Sequence, residues 1–376
     1  MQEDNHYNKD SSMATRHLLC VHGIGEHANN WIETVDDGDI SLKDLFLDRW
    51  NNLQDSHNYL PRHDIQLHSI HYDDAIIRLL NNWEEQLTSL SSGLADIPDF
   101  KEHKGFFDDV IEKSKLANDE QQTYIQTHLL DLLLFAGLYS VQDSIIVKVG
   151  NQIGSIIQNH VDRNRGDEVV VIGHSMGTAV TEKALKALFN ETVTVGGLQY
   201  KLKGNDKLLA VMLIANISYT LARDRSSFYQ SIFRPGTGET QIMNYLLNVN
   251  HKLDVVGQFL AFDPYRYNPD WIKAKHRERY QDIAISRLTS KNVHSINHYF
   301  RDPRVYLPLF EILGGRPISK SITTALLSDF DAHTPVGTFK SFQTSLENLD
   351  VTNIASMKEF YDKAVKLHQR IKEFRQ

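Results

Sequence analysis

The pentapeptide Gly173-His174-Ser175-Met176-Gly177 stands directly behind the apolar run Glu168-Val169-Val170-Val171-Ile172. A serine flanked at this spacing by two glycines suits nucleophilic catalysis. A hydroxyl held out on a sharp turn needs small neighbours, so that the backbone can fold tightly and leave the oxygen exposed to a substrate. The elements required to position it are written on either side. The run before the turn reads as a buried strand, and Ala179, Val180, Ala184, Ala187 and Leu188 recur at the three-to-four-residue spacing of a helix packed on a sheet.

A second pattern of the same kind lies near the amino terminus, where the strand-like Leu18-Leu19-Cys20-Val21 runs into His22-Gly23-Ile24-Gly25-Glu26. Together the two motifs resemble an α/β-hydrolase, a fold built on a mostly parallel central sheet with helices on both faces. The resemblance implies an oxyanion hole made of two backbone N–H groups, one from the His-Gly loop and one from the residue after the nucleophile. In this chain those residues are Ile24 and Met176. Fixed dipoles there would face the negative charge that develops on a carbonyl oxygen under attack. A rival reading takes Gly23-Ile24-Gly25-Glu26-His27-Ala28 as a dinucleotide fingerprint. That reading needs a helix to open at the third small residue, whereas Asn29, Asn30 and Trp31 followed by Asp36-Asp37-Gly38-Asp39 read as loop. It would predict nicotinamide-cofactor binding that survives Ser175→Ala.

The resemblance also implies an acid and a base that follow the serine in the order Asp or Glu, then His, each on a loop after a later strand. The stretch 241–250 reads as a strand, and Asp254 follows it. Asp263 competes, but an Asp-Pro pair with Pro264 is more often a turn. For the base, 282–288 alternates like a strand and is followed by both His294 and His298. Ser295 is placed to cap a short helix behind the first of them. Hydrolases of this resemblance carry their histidine just ahead of a final helix with a proline some eight residues on. His294 precedes Pro303 by nine residues and His298 by five, which favours His294.

With Ser175 as nucleophile, His294 as base and Asp254 as its orienting acid, the implied reaction is hydrolysis of a carboxylic ester through an acyl-serine. The implied substrate is a small-molecule ester or a lipid-like acyl compound, as in lipases and esterases. Thioesters and peptides are less favoured. No metal and no organic cofactor is called for. The 18 histidines show neither an H-E-x-x-H nor a paired Cys-x-x-Cys pattern, and His68 and His71 read as structural. A different class of function stays open: a binding or regulatory protein on an inactive hydrolase scaffold.

The rest of the chain bounds this reading. It has 376 residues, 41% of them hydrophobic, which is enough to bury a large core. A net charge of −8 gives no electrostatic footprint for nucleic acid. Cys20 is the single cysteine, so no intrachain disulfide can form, and this suits a reducing compartment. Residues 1–15 read as a loose polar tail without the apolar core of a signal peptide, so a cytoplasmic location is expected. Residues 16–315 form one expected catalytic domain, in which 41–53 is a helix capped by Ser41 and Asp44, 65–70 a strand and 207–214 another. Residues from about 75 to 160 read as a helical insertion, a candidate lid beside the active site. The apolar run 129–141 is too short to span a bilayer and contains Asp131. It reads as core, with transient membrane contact the sharper alternative and no stable insertion. Residues 316–376 form an extension whose amphipathic face, Ile354 to Ile371, packs on the domain or joins two subunits as a homo-oligomer.

Overall fold

Alternation along the central strands divides the core in two. In β1 (Thr15–Val21), Leu19 and Val21 face one side while Leu18 and Cys20 face the other, and in β5 (Glu168–His174) Val169 and Val171 alternate with Val170 and Ile172 in the same way. A strand buried on both faces must be apolar throughout, and it then needs helices on both sides. The computed structural model describes residues 13–23, 29–36, 40–55, 60–61, 63–72, 139–190, 196–218, 233–238, 240–254, 262–268, 270–272, 274–290 and 293–334. Among these, six strands form one parallel sheet in the order β4-β1-β5-β6-β7-β8, with β4 at Asp64–Ile70, β6 at Leu208–Ile214, β7 at Met243–His251 and β8 at Tyr280–Ile285. A two-residue hairpin of β2 (Val35–Asp36) and β3 (Ile40–Ser41) stands apart. The described chain is therefore an α/β fold on a parallel sheet.

One face is covered by α2 (Tyr139–His160), through Ile145, Val149, Ile153 and Ile157, and by α3 (Met176–Phe189), through Ala179, Val180, Ala184 and Leu188. The last part of the expected insertion is thus α2, a core helix on the crossover between β4 and β5. The remainder, 73–138, with most of the apolar run 129–141, lies outside the described residues, as do the tail 1–12 and 335–376 with the amphipathic face at 354–371. No helix among the described residues is long and apolar enough to cross a membrane.

The opposite face carries α1 (Leu42–Asp55), α4 (Ile296–Phe300) and α5 (Pro303–Gly314). Helix α1 starts as the sequence predicts, with Asp44 N donating to Ser41 Oγ at 3.1 Å. Its Phe46 and Trp50 meet Phe310 of α5 edge-on at 5.0 and 5.2 Å between ring centroids. Such aromatic contacts contribute about 0.5–1.5 kcal/mol each beyond burial. Helix α5 is fixed at both ends. Asp302 accepts from Arg304 N and Pro303 opens the first turn, while Gly315 closes the helix in the left-handed region at φ 65°. Helix α6 (Lys320–His333) then packs back on α5, held by Arg304 and Arg287, which both pair with Asp331. Cys20 is buried in β1, and burial pushes its thiol up to about 12, so it stays protonated and inert at neutral pH.

Near the other end of the sheet, two histidines from adjacent strands stack on each other. The rings of His17 and His68 lie 5.3 Å apart, His17 Nδ1 is 3.1 Å from His68 Nε2, and His17 Nε2 is 3.6 Å from the buried Asp167. Burial holds both imidazoles below their ordinary value, His68 down to about 4, with His17 next to it adding to the shift. The unfolded chain takes up protons near pH 6.5, before the folded chain does, so stability present above that pH is lost as the pH falls toward 4. The melting temperature should therefore drop between pH 7.5 and pH 5. In His68→Gln the same drop should be shallower, and an equal slope in both proteins would remove His68 as its source.

Candidate active site

The carboxyl ends of the strands are tied together stepwise. Ser175 N donates to Ile214 O at the end of β6, Ala215 N to Val249 O of β7, and Lys252 N to Ile285 O at the end of β8, at 2.9, 2.9 and 2.8 Å. Residues that follow β5, β7 and β8 are thus delivered to one edge of the sheet, which is where a parallel α/β sheet places its ligands. Ser175 follows β5, Asp254 follows β7 and the segment 293–295 follows β8.

The turn at Ser175 is strained, with φ 54° and ψ −127°, and Ala215 on the neighbouring strand end is the other non-glycine residue with positive φ among those described. A residue in so sparsely populated a region costs about 1–3 kcal/mol and persists where its surroundings enforce it. The enforcement is visible. Thr178 Oγ1 donates to Ser175 O at 2.6 Å and in turn accepts from Ile217 N at 3.1 Å, which clamps the turn to the loop after β6. The Ser175 hydroxyl is buried and makes no hydrogen bond among the described residues.

Gly177 explains the second small residue of the motif. A Cβ there would lie 2.3 Å from the carbonyl oxygen of His22 and 2.6 Å from that of Val21, so only glycine lets the first turn of α3 sit against the end of β1. Gly23 meets the turn from the other side, since a Cβ on it would lie 2.8 Å from Ser175 Cβ. Gly177→Ala should destabilise the fold by about 2–3 kcal/mol, because a backbone atom cannot swing aside as a side chain would. Chemical denaturation checks this, and a loss under about 0.5 kcal/mol would mean that the two elements separate freely.

The His22 ring lies beneath that loop and stacks on Tyr72 at 4.1 Å. Its Nε2 accepts from Tyr72 N at 3.2 Å, so Nδ1 carries the proton and donates to Gly23 O at 2.6 Å. Tyr72 Oη lies 2.9 Å from the carbonyl oxygens of both His22 and Gly23. These contacts hold the carbonyls of His22 and Gly23 in place. Ile24 itself, with 25–28, lies outside the described residues. Met176 opens α3, so its N–H is among those a helix leaves outside its own ladder.

Asp254 and His294 are in contact. His294 Nδ1 donates to Asp254 Oδ2 at 2.7 Å, with both side chains buried. Donation from Nδ1 leaves Nε2 as the nitrogen able to accept a proton. His294 is bound to the serine turn through its backbone, because His174 Nε2 donates to the His294 carbonyl at 2.6 Å, and the two rings lie 4.8 Å apart. Ser175, His294 and Asp254 are therefore linked through one connected set of contacts that runs through His174.

The alternative residues stand elsewhere. His298 Nδ1 accepts from Ser290 N at 3.2 Å and lies 2.9 Å from Thr289 Oγ1, so this ring braces the loop after β8. Asp263 is exposed ahead of the helical turn Pro264–Tyr267. Ser295 occupies the residue before α4, as expected, but its side chain makes no capping bond. Among the described residues, no group of three or more His, Cys, Asp or Glu side chains is arranged to hold a metal ion.

Two participants have no signature in the sequence. His174 reads as an ordinary occupant of the turn, yet it ties the histidine loop in place. Tyr299, fully buried, donates from its hydroxyl to Asp254 Oδ2 at 2.5 Å. No local pattern joins a tyrosine to a carboxylate 45 positions away. Comparison of the chain with known protein families, with curated proteins and with solved structures yields no match.

Proposed function

We propose that this chain is a serine hydrolase of the α/β-hydrolase type that cleaves carboxylic esters through an acyl-serine. The observation that carries the reading is the convergence at one sheet edge of a strained serine turn after β5 and a buried Asp254–His294 pair contributed by the loops after β7 and β8. Chain order supports it as well, since serine, acid and base come in the sequence the fold type requires.

In this reading His294 Nε2 takes the Ser175 proton as Oγ attacks the carbonyl carbon, and Asp254 stabilises the imidazolium that forms. The N–H groups of Met176 and Ile24 take the charge on the carbonyl oxygen. The leaving alcohol receives the proton from His294. Water then attacks the acyl-serine by the same route and releases the acid. A small ester or a lipid-like acyl compound is the substrate class, and selectivity lies in the pocket walls. A cytoplasmic location is part of the proposal, in keeping with a single buried cysteine.

A fluorophosphonate probe tests nucleophilicity without a guess at the substrate. Stoichiometric phosphonylation mapped to Ser175 is the expected result. Well-folded protein that takes up no probe would instead favour a binding or regulatory role on the same scaffold.

A further inference from the structure

Asp254 Oδ2 receives two donors at once, His294 Nδ1 at 2.7 Å and Tyr299 Oη at 2.5 Å. Two hydrogen bonds on one carboxylate oxygen fix the plane of the group and draw off part of its charge. The tyrosine has little freedom to do otherwise. Its ring is fully buried and meets His174, His251 and His298 edge-on at 6.4, 6.2 and 6.1 Å. It also stands five positions after His294, in the helix that opens directly behind the histidine loop, so base and tyrosine are carried by one short continuous segment.

We propose that Tyr299 is a positioning residue for the Asp254–His294 pair: its hydroxyl orients the carboxylate and moderates its charge, which sets the basicity of His294. The inference rests on the hydrolase reading, and it adds to that reading a fourth group that touches neither substrate nor reacting atoms. A carboxylate that shares its charge with a phenol stabilises the imidazolium less than one that faces the histidine alone. Removing the hydroxyl should therefore make His294 more basic.

Other titratable groups pack on Tyr299, and His251 among them is coupled electrostatically to Asp254. His251 accepts at Nδ1 from Leu253 N and donates from Nε2 to Arg287 O, the pattern of a neutral ring, and burial holds its basicity down. His298 accepts at Nδ1 from Ser290 N, and His174 donates at Nε2 to the His294 carbonyl.

The test is the pH dependence of fluorophosphonate labelling at Ser175 in the wild-type protein and in Tyr299→Phe, together with the NMR titration of the His294 ring. In the variant, the acid limb of labelling and the ring titration should both move up by about half to one pH unit, with a plateau rate about three- to tenfold lower. A merely structural tyrosine would lower the melting temperature and leave both midpoints where they are, and that result overturns the inference. A wild-type protein that does not label, but whose His294 titration moves in Tyr299→Phe, sinks the hydrolase reading and keeps the coupling. If Tyr299→Phe does not fold, 3-fluorotyrosine at position 299 gives the opposite sign. Its more acidic hydroxyl donates more strongly, so the midpoints should fall, and unchanged midpoints would again overturn the inference.

Discussion

Ser175→Ala should lose phosphonylation and lower ester hydrolysis by about 10³–10⁶-fold, while the folded protein becomes more stable than wild type. The two effects have one cause. The Ser175 hydroxyl is buried and makes no hydrogen bond among the described residues, so its removal deletes a buried polar atom and breaks no bond seen there. Removing such a group recovers about 1 kcal/mol, equivalent to roughly 2 °C in a domain of this size. A hydroxyl kept in place at a cost to stability is what a reacting group looks like from the thermodynamic side. Labelling followed by mass spectrometry, and calorimetry on the same samples, check both halves. A melting temperature that falls in Ser175→Ala would show that the oxygen is structural, and retained labelling would move the nucleophile elsewhere.

The parts of this arrangement that could be read from the sequence are those written in contiguous residues. The apolar runs of β1, β5, β6 and β7 are long because the strands are buried on both faces, and such runs are hard to mistake. Glycine spacing marked the serine turn for a steric reason, now visible as the approach of Gly177 to the carbonyl of His22. Where a strand is half exposed the signal weakens. The last strand is expected over 282–288 but forms over Tyr280–Ile285, since alternation with polar residues continues past its end. Helix α6 lies within the expected extension 316–376, but ahead of the amphipathic face read there at 354–371. None of its residues is fully buried: Ile322 and Leu326 pack partly on the core, and Arg304 and Arg287 add ion pairs to Asp331. An ion pair between residues 27 positions apart leaves no mark in local spacing.

The same limit applied to the choice of base. His294 and His298 lie in one short segment and share a neighbourhood in sequence. They differ in what their rings meet, which is Asp254, 40 positions away, for the first and Ser290 for the second. Only the fold decides between such partners. Proline spacing favours His294 by resemblance, and in the structure it is the His294 ring that meets Asp254.

Asp254→Asn should lower labelling and hydrolysis by about 10³–10⁴-fold with the fold retained. The geometry shows why a neutral isostere is not equivalent. Asp254 Oδ2 accepts from both His294 Nδ1 and Tyr299 Oη, and a carboxylate can do this without donating anything back. An asparagine has two ways to fill the same space. With its oxygen on the histidine it keeps both donors but lacks the charge that stabilises the imidazolium. With its amide there it faces two donors with a third, and His294 must turn over its tautomer, leaving Nε2 protonated and unable to take the Ser175 proton. Both routes act on the proton transfer and neither removes bulk, so the melting temperature should change far less than the rate. Labelling kinetics of Asp254→Asn beside Tyr299→Phe would rank the two donors on one oxygen. The asparagine variant should fall by orders of magnitude where the phenylalanine variant falls by less than about tenfold, because the first removes the charge and the second only one of the bonds that orient it. Equal losses in the two would mean that the carboxylate acts through its orientation alone.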